Sequence, residues 1–317
     1  MISRRIIRTK VLQILYAYYS SEEKSIPQSE KEFFFSINKT YDLYHYLMLL
    51  LIEVADYSER VIEIKQNKHF PTEEEKNPNR KFLNNKMIHL LRINIPLLNY
   101  LKREKLSWVN HPELIKELYL FLTESDLYAA YMKTPASSFQ EDKHFIDDVF
   151  SKVFLIFEDL HQVLEEQSIY WNDDIDFVVT MISKTIRKFE EERGPNQSLL
   201  PTFKDEDDRN FARELLRKSI INQNELREII HNNSQNWDIE RIAFVDILIM
   251  QLALSEFIYF PTIPTKVTMN EYIELSKFYS TEKSRNFING ILDKALKDLK
   301  LENKIKKTGR GLIGETD

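Results

Sequence analysis

The sequence predicts an all-α protein, on three observations. Glycine is almost absent: five occur in 317 residues, and three of them, Gly309, Gly311 and Gly314, stand in the last nine. Gly194 and Gly290 alone serve the rest of the chain, too few for a strand-rich fold with many tight glycine turns. Prolines and the Gly194-Pro195 pair divide the chain into long stretches whose apolar residues recur at helical spacing. Helix-start residues stand at the heads of some of those stretches. Asp238 precedes Ile239-Glu240-Arg241, and Thr268 with Glu271 has the spacing of a capping box, in which hydroxyl and carboxylate satisfy end N–H groups reciprocally.

Taken in order, helices are predicted over 3–20, 28–69, 82–105 (kinked or broken near Pro96), 112–133, 138–169, 172–192, 205–234, 238–259, 268–279 and 282–304. The breaks fall at Pro71 and Pro78, His111-Pro112, Thr134-Pro135, Gly194-Pro195 with Pro201, and Pro261 with Pro264. Proline is tolerated in a first turn because its missing N–H would be unpaired there anyway. In the first helix, Ile7, Val11, Ile14, Leu15 and Tyr18 make one apolar stripe. Arg5, Thr9, Gln13 and Tyr16 fall opposite, with Arg8 on the flank. A tyrosine open beside arginines offers charge to a phosphate and a ring face to a base; the alternative is that Tyr16 packs on a neighbouring helix, as aromatics commonly do. Helix 238–259 is apolar all round, broken only by Arg241, Asp246, Gln251 and Glu256, the pattern of a central core helix. Asp173-Asp174 and Asp207-Asp208 stand at helix starts, where they complement the dipole.

Composition closes several function classes. Apolar residues make up 43% and charged residues 30%, an ordinary folded composition. Glycine-rich phosphate loops and serine nucleophile elbows need glycines the chain lacks. Without cysteine there is no disulfide, thiol catalysis, iron–sulfur cluster or Cys-ligated zinc. The densest apolar run, Tyr46 to Ile52, is far short of a membrane span, so the expectation is a cytoplasmic protein with no membrane partner. Glu141/His144, Glu158/His161 and Glu228/His231 share the E-x-x-H spacing of di-iron bundles. The first two lie on one predicted helix, roughly 25 Å apart at 1.5 Å per residue, and cannot share a metal pair. No metal, cofactor or catalytic constellation is predicted, which favours a binding protein over an enzyme.

Charge is unevenly spread. The net value is −6, yet residues 1–20 carry +4, 21–205 carry −9, 206–299 carry −3 and 300–317 carry +2. Basic ends around an acidic middle suggest a local polyanion contact, or simply solvated termini.

The last third carries a specific succession. It reads Trp237-Asp238-Ile239-Glu240-Arg241-Ile242-Ala243, Val245-Asp246, Leu252-Ala253 and Glu256, then Ile263-Pro264 and Lys266 through Lys277 with Asn270-Glu271 inside it. Phe287-Ile288-Asn289-Gly290-Ile291-Leu292-Asp293 closes it. This strongly resembles the NusB family of bacterial transcription antitermination factors. Arg4-Arg5-x-x-Arg8 with Gln13-x-Leu15-Tyr16 resembles that family's first helix, and Phe211 to Leu216 its second. The resemblance implies a NusB-like helical bundle made of 1–20 and 206–303. Residues 21–205 are then a large acidic helical insertion, and 304–317 a basic flexible tail.

The resemblance also implies a function: binding boxA-like single-stranded RNA together with NusE, a small-subunit ribosomal protein, within the transcription elongation complex on ribosomal RNA operons. Arg4, Arg5, Arg8 and Tyr16 match the family's RNA-contacting first helix, and Lys283, Ser284, Arg285 and Phe287 a second RNA-contacting stretch. Lys283 takes a place that is acidic in familiar members. Asp246 matches an acidic position facing NusE; alternatively it forms a salt bridge within the core helix. Gly290 inside a helix costs about 1 kcal/mol against alanine and implies close approach by a neighbouring helix or by the partner. Lys304, Lys306, Lys307 and Arg310 are either a further RNA arm or a solvated tail. The competing function is a helical protein–protein scaffold of the same fold that does not bind RNA.

Overall fold

The computed structural model describes residues 1–234 and 242–314. Among them the chain forms fifteen α-helices and a few 3-10 turns, with no strand. The helices are α1 (Arg4–Ser20), α2 (Ile26–Gln66), α3 (Glu73–Lys76), α4 (Lys86–Arg92), α5 (Ile95–Glu104), α6 (Pro112–Glu124), α7 (Asp126–Met132) and α8 (Phe139–Lys152). They continue with α9 (Glu158–Gln167), α10 (Ile175–Lys188), α11 (Glu206–Ile221), α12 (Gln223–Asn233), α13 (Phe244–Tyr259), α14 (Thr265–Tyr279) and α15 (Glu282–Leu301).

Two long predicted helices break where a side chain takes over the backbone, while 138–169 breaks at Val153 to Phe157 without such a cap. Helix 82–105 splits at Asn94, whose side chain accepts the Leu97 N–H ahead of Pro96. Helix 112–133 splits at Ser125, which accepts the Tyr128 N–H. Capping boxes form at Thr72/Glu75 and Ser138/Glu141; Glu141, one of the E-x-x-H glutamates, is therefore committed to a helix end. The predicted box at Thr268/Glu271 does not form. There α14 starts a turn earlier, behind Pro264, and the Thr268 hydroxyl donates to Glu256 Oε1 at 2.7 Å. A buried carboxylate needs that donor more than a helix end does. The start signal at Asp238, with Trp237 to Arg241, lies outside the described residues.

The chain divides into two compact units. One comprises Ile2–Ile37 and Phe203–Asp317, the other Met1 with Asn38–Thr202. In the first unit α13 is the central rod: Leu248 through Phe257 are buried, and α1, α11, α12, α14 and α15 all pack on it. The opening of α2 belongs to this unit, although the sequence reading began an insertion at residue 21. Its Phe34 lies under the guanidinium groups of Arg209 and Arg213, at 5.7 and 5.5 Å, and its Glu30 pairs with Arg217 at 3.2 Å. Aromatic and ionic contacts of this kind are invisible to a charge count.

The second unit has its own core, built on the middle of α2 with α4, α8 and α10. Trp108 stacks on Tyr46 at 3.8 Å and donates its indole N–H to the Tyr46 carbonyl at 2.9 Å. His45 stacks on Tyr100 at 3.6 Å.

Within the stretch expected as a flexible tail, the residues up to 314 pack against the end of α13. Thr308 donates its N–H to the Pro261 carbonyl at 2.9 Å, and the Lys307 ammonium donates to the Phe260 carbonyl at 2.9 Å. Gly311 is buried so tightly that a Cβ there would lie 1.9 Å from the Pro261 oxygen. The lysine meets carbonyls at the C-terminal end of α13, where the helix dipole favours a cation.

Candidate nucleic-acid interface

The first helix starts in an electrostatically unfavourable way. Arg4, Arg5 and Arg8 occupy its opening turns, with no acid among them, at the positive end of its dipole. Carboxylates from other helices offset this. Arg4 Nε donates to Asp208 Oδ1 of α11 at 2.7 Å. Arg5 donates from Nε and Nη2 to Glu271 of α14, at 3.0 and 2.9 Å. Arg8 donates from Nε and Nη2 to Glu256 of α13, at 2.8 and 2.7 Å. The arginines therefore join α1 to three neighbours.

Their environments differ sharply. Arg8 and Glu256 are buried, and Glu256 also accepts the Tyr272 hydroxyl at 3.2 Å. Burial alone would lower the guanidinium pKa, but the charge and hydrogen bonds of Glu256 outweigh it and hold the group further above its ordinary value. Burial, with the charge of Glu256, pushes the Tyr272 phenol well up. Arg8 is thus a core cation, and the expectation that it faces a phosphate is not met. The Arg4 guanidinium lies 4.9 Å over the Phe211 ring as well as on Asp208. Arg5 is the open one, its side chain 56% exposed. Burial pushes the Glu271 carboxyl up, yet the Arg5 hydrogen bonds and the two guanidinium charges hold it below its usual value.

Further along the same face, Tyr16 is 48% exposed. It leans on Phe244, the first residue of α13, with ring centroids 5.6 Å apart. Tyr16 thus packs in part on a neighbouring helix, while about half of its side chain stays exposed. Phe244 is itself exposed. It went unrecognised as a surface aromatic because it stands in a run that reads as core.

A short link joins α1 to the end of α14, just before the last helix. Gln13 Nε2 donates to the Tyr279 hydroxyl at 3.0 Å, and Tyr279 ends α14 just before the Thr281 cap of α15. Thr281 accepts the Ser284 N–H at 3.2 Å, so the Ser284 backbone serves the cap. Lys283 is exposed and forms no ion pair among the described residues. Arg285 lies 3.4 Å from Glu282. Together with Lys277, Ser280 and Thr281, these two residues line a shallow cleft. Phe278, on the last turn of α14, is 79% exposed and was not singled out from the sequence, where no pattern separates it from the buried aromatics around it.

Two further expected site residues lie inside, like Arg8. Phe287 is buried in the face of α15 that meets the core, at helical spacing with Ile291. Asp246 is buried and accepts the Ser280 hydroxyl, pinning the end of α14 to the start of α13. It is not offered to a partner. Gly290 is exposed, and a Cβ there would meet nothing within 4 Å, so no neighbouring helix explains the glycine.

Arg5 and Tyr16 on α1 and Lys283 on α15 are thus exposed, with Phe244 against Tyr16, Phe278 exposed at the end of α14, and Ser284 and Arg285 half-buried at the opening of α15. Residues 174–297 match the model of the NusB family. A Salinibacter ruber protein named transcription antitermination protein NusB is 37% identical over 139 residues, covering 42% of this chain and 87% of the relative. A protein of the same name from Oleidesulfovibrio alaskensis is 51% identical over 89 residues, 28% of this chain and 58% of its own. A third, from Chloroherpeton thalassium, is 36% identical over 105 residues, 33% of this chain and 50% of its own. No solved structure matches the chain.

Proposed function

The chain belongs to the NusB family as an enlarged member, and on that premise we propose that it is a non-catalytic transcription antitermination factor. It binds boxA-like single-stranded RNA together with a NusE-like ribosomal protein and acts on the elongation complex in the cytoplasm. The relatives' shared name supports the antitermination role. Among the described residues no helix is long and apolar enough to cross a membrane.

The observation that supports the RNA reading best is the Gln13–Tyr279 link, which ties α1 to the end of α14, two residues before the Thr281 cap of α15. Single-stranded RNA needs cations at phosphate spacing and aromatic faces for unstacked bases. Arg5, Lys283 and Arg285 supply the first, and Tyr16 the second. The Arg5 side chain is 56% exposed while that of Glu271 is only 20% exposed, so solvent screens the pair in part and a phosphate can compete for Arg5. Arg4 and Arg8 act indirectly, by fixing the orientation of α1. Asn289 and Gly290, exposed on α15, form a surface with room for close approach by the NusE-like partner.

One observation favours the scaffold reading: each arginine of the first helix already holds a carboxylate. A gel shift with a boxA-like RNA, with and without the NusE-like protein, separates the two. The RNA reading predicts a shifted band that the partner strengthens. Partner binding without any RNA shift, alone or in the ternary mixture, would leave the scaffold.

A further inference from the structure

Residues 106–183 hold fifteen acidic and four basic side chains, a net −11 in a chain whose total is −6. Three of the four lysines are engaged: Lys116 with Glu113, Lys152 with Asp148, and Lys143 with the Arg187 and Phe189 carbonyls. Within this stretch lies an apolar surface. On α6, Leu114, Ile115, Leu118 and Leu122 face the core. The opposite face runs Glu113, Glu117, Leu120, Phe121, Glu124 at helical spacing, and all five are exposed. The Phe121 ring meets Phe157 at 5.1 Å, and Phe157 follows Ile156, which is 60% exposed. Glu158 and Asp159 are exposed at the head of α9, which packs on α6. Single exposed apolar residues are ordinary, but here Leu120 and Phe121 are adjacent on α6, and Phe121 meets Phe157, the chain neighbour of exposed Ile156, with carboxylates on both helices.

We propose that the Leu120–Phe121–Ile156 patch, framed by Glu117, Glu124, Glu158 and Asp159, docks a cationic amphipathic segment of a partner protein. The rim carboxylates form no ion pairs among the described residues, so they are available to lysine and arginine side chains. Charge decides the occupant. An RNA or an anionic lipid surface is repelled by this stretch. A second copy would bring the same acidic rim against itself, because symmetric dimers pair like with like. A helix with leucine or phenylalanine on one face and lysines beside it satisfies both the apolar centre and the rim. This site is separate from the RNA reading, and its test uses no RNA.

The probe is a fluorescent peptide of about 18 residues, long enough to hold a helix, with leucine and phenylalanine on one face and lysines on the other. A scrambled peptide of identical composition is the control. Binding to the full chain is followed by anisotropy at low and moderate salt. The expected result is saturable, salt-sensitive binding, weakened about tenfold or more for the scrambled peptide. Phe121→Ser with Ile156→Ser, and separately Glu117→Lys with Glu124→Lys, each weaken it by about tenfold or more. The charge reversals alter only exposed positions and keep the test decisive if the serine pair disturbs packing. Absence of binding, equal binding of the scrambled peptide, or unchanged affinity in both variants would overturn the proposal. So would a wild-type dimer in sedimentation that the charge reversals or the serine pair disperse, which would assign the patch to a second copy.

Discussion

Arg5 and Arg8 stand one turn apart on one helix with the same bidentate geometry, yet burial gives them different work. Arg8→Ala strands Glu256 as an uncompensated charge in the core and should cost about 3–5 kcal/mol of stability. Arg5→Ala, at a half-open pair, should cost less than about 1 kcal/mol while weakening RNA binding. Urea unfolding of the two variants checks the contrast; equal losses would mean that Arg8 is not the core residue described. His45 permits a second test. Burial, reinforced by the Arg103 charge and resisted by its bond to the Tyr41 carbonyl, pushes its pKa down to about 4 from 6.5. The native ring stays neutral where the unfolded ring takes a proton, so the unfolded state binds more protons between those values. Stability of this unit should fall by roughly 3 kcal/mol as pH drops from about 6.5 to 4. His45→Phe should flatten that fall in thermal melts. The arginines were legible in the sequence as a cationic cluster, but their carboxylates were not. Asp208, Glu256 and Glu271 stand more than 200 positions away, and no local signal pairs any of them with a particular arginine.

Helix positions were legible at the level of elements because apolar spacing and proline breaks are local signals. What local signals miss is competition for the same group. Thr268 reads as a cap, but Glu256 takes its hydroxyl; Asp246 reads as a partner contact, but Ser280 takes its carboxylate. The two late glycines show the same divide and predict opposite outcomes. Gly290 is exposed on α15 with open space beyond its Cβ position. Gly290→Ala should therefore raise stability by about 0.5–1 kcal/mol, while reducing affinity for the NusE-like partner if that partner approaches there. Gly311→Ala drives a methyl group into the Pro261 carbonyl. It should release the C-terminal stretch, seen as faster amide exchange at Thr308; unchanged exchange would contradict the tight docking.

At the scale of the whole molecule, charge separation organises the chain. Its net −6 conceals a stretch of −11 over 106–183, which leaves the remainder at +5. A basic surface for RNA and an acidic apolar surface for protein are therefore compatible in one polypeptide. The family part was legible because its motifs are specific. The added part was legible only as helical and acidic, since its core pairs, such as Trp108 on Tyr46, join residues far apart in sequence. With Arg8 committed to the core and Arg4 to Asp208 and Phe211, the RNA reading assigns the phosphates to Arg5, Lys283 and Arg285, the first and last of which would exchange a carboxylate for a phosphate. The most direct measurement is the salt dependence of affinity for a boxA-like single strand. About three neutralised phosphates give a slope of log K against log salt near −2. Replacing Arg5, Lys283 and Arg285 together by alanine should bring that slope toward zero, with the helical content unchanged. A wild-type slope near zero, or a slope of −2 that survives the triple replacement, would contradict an RNA cradle at the junction of the first and last helices.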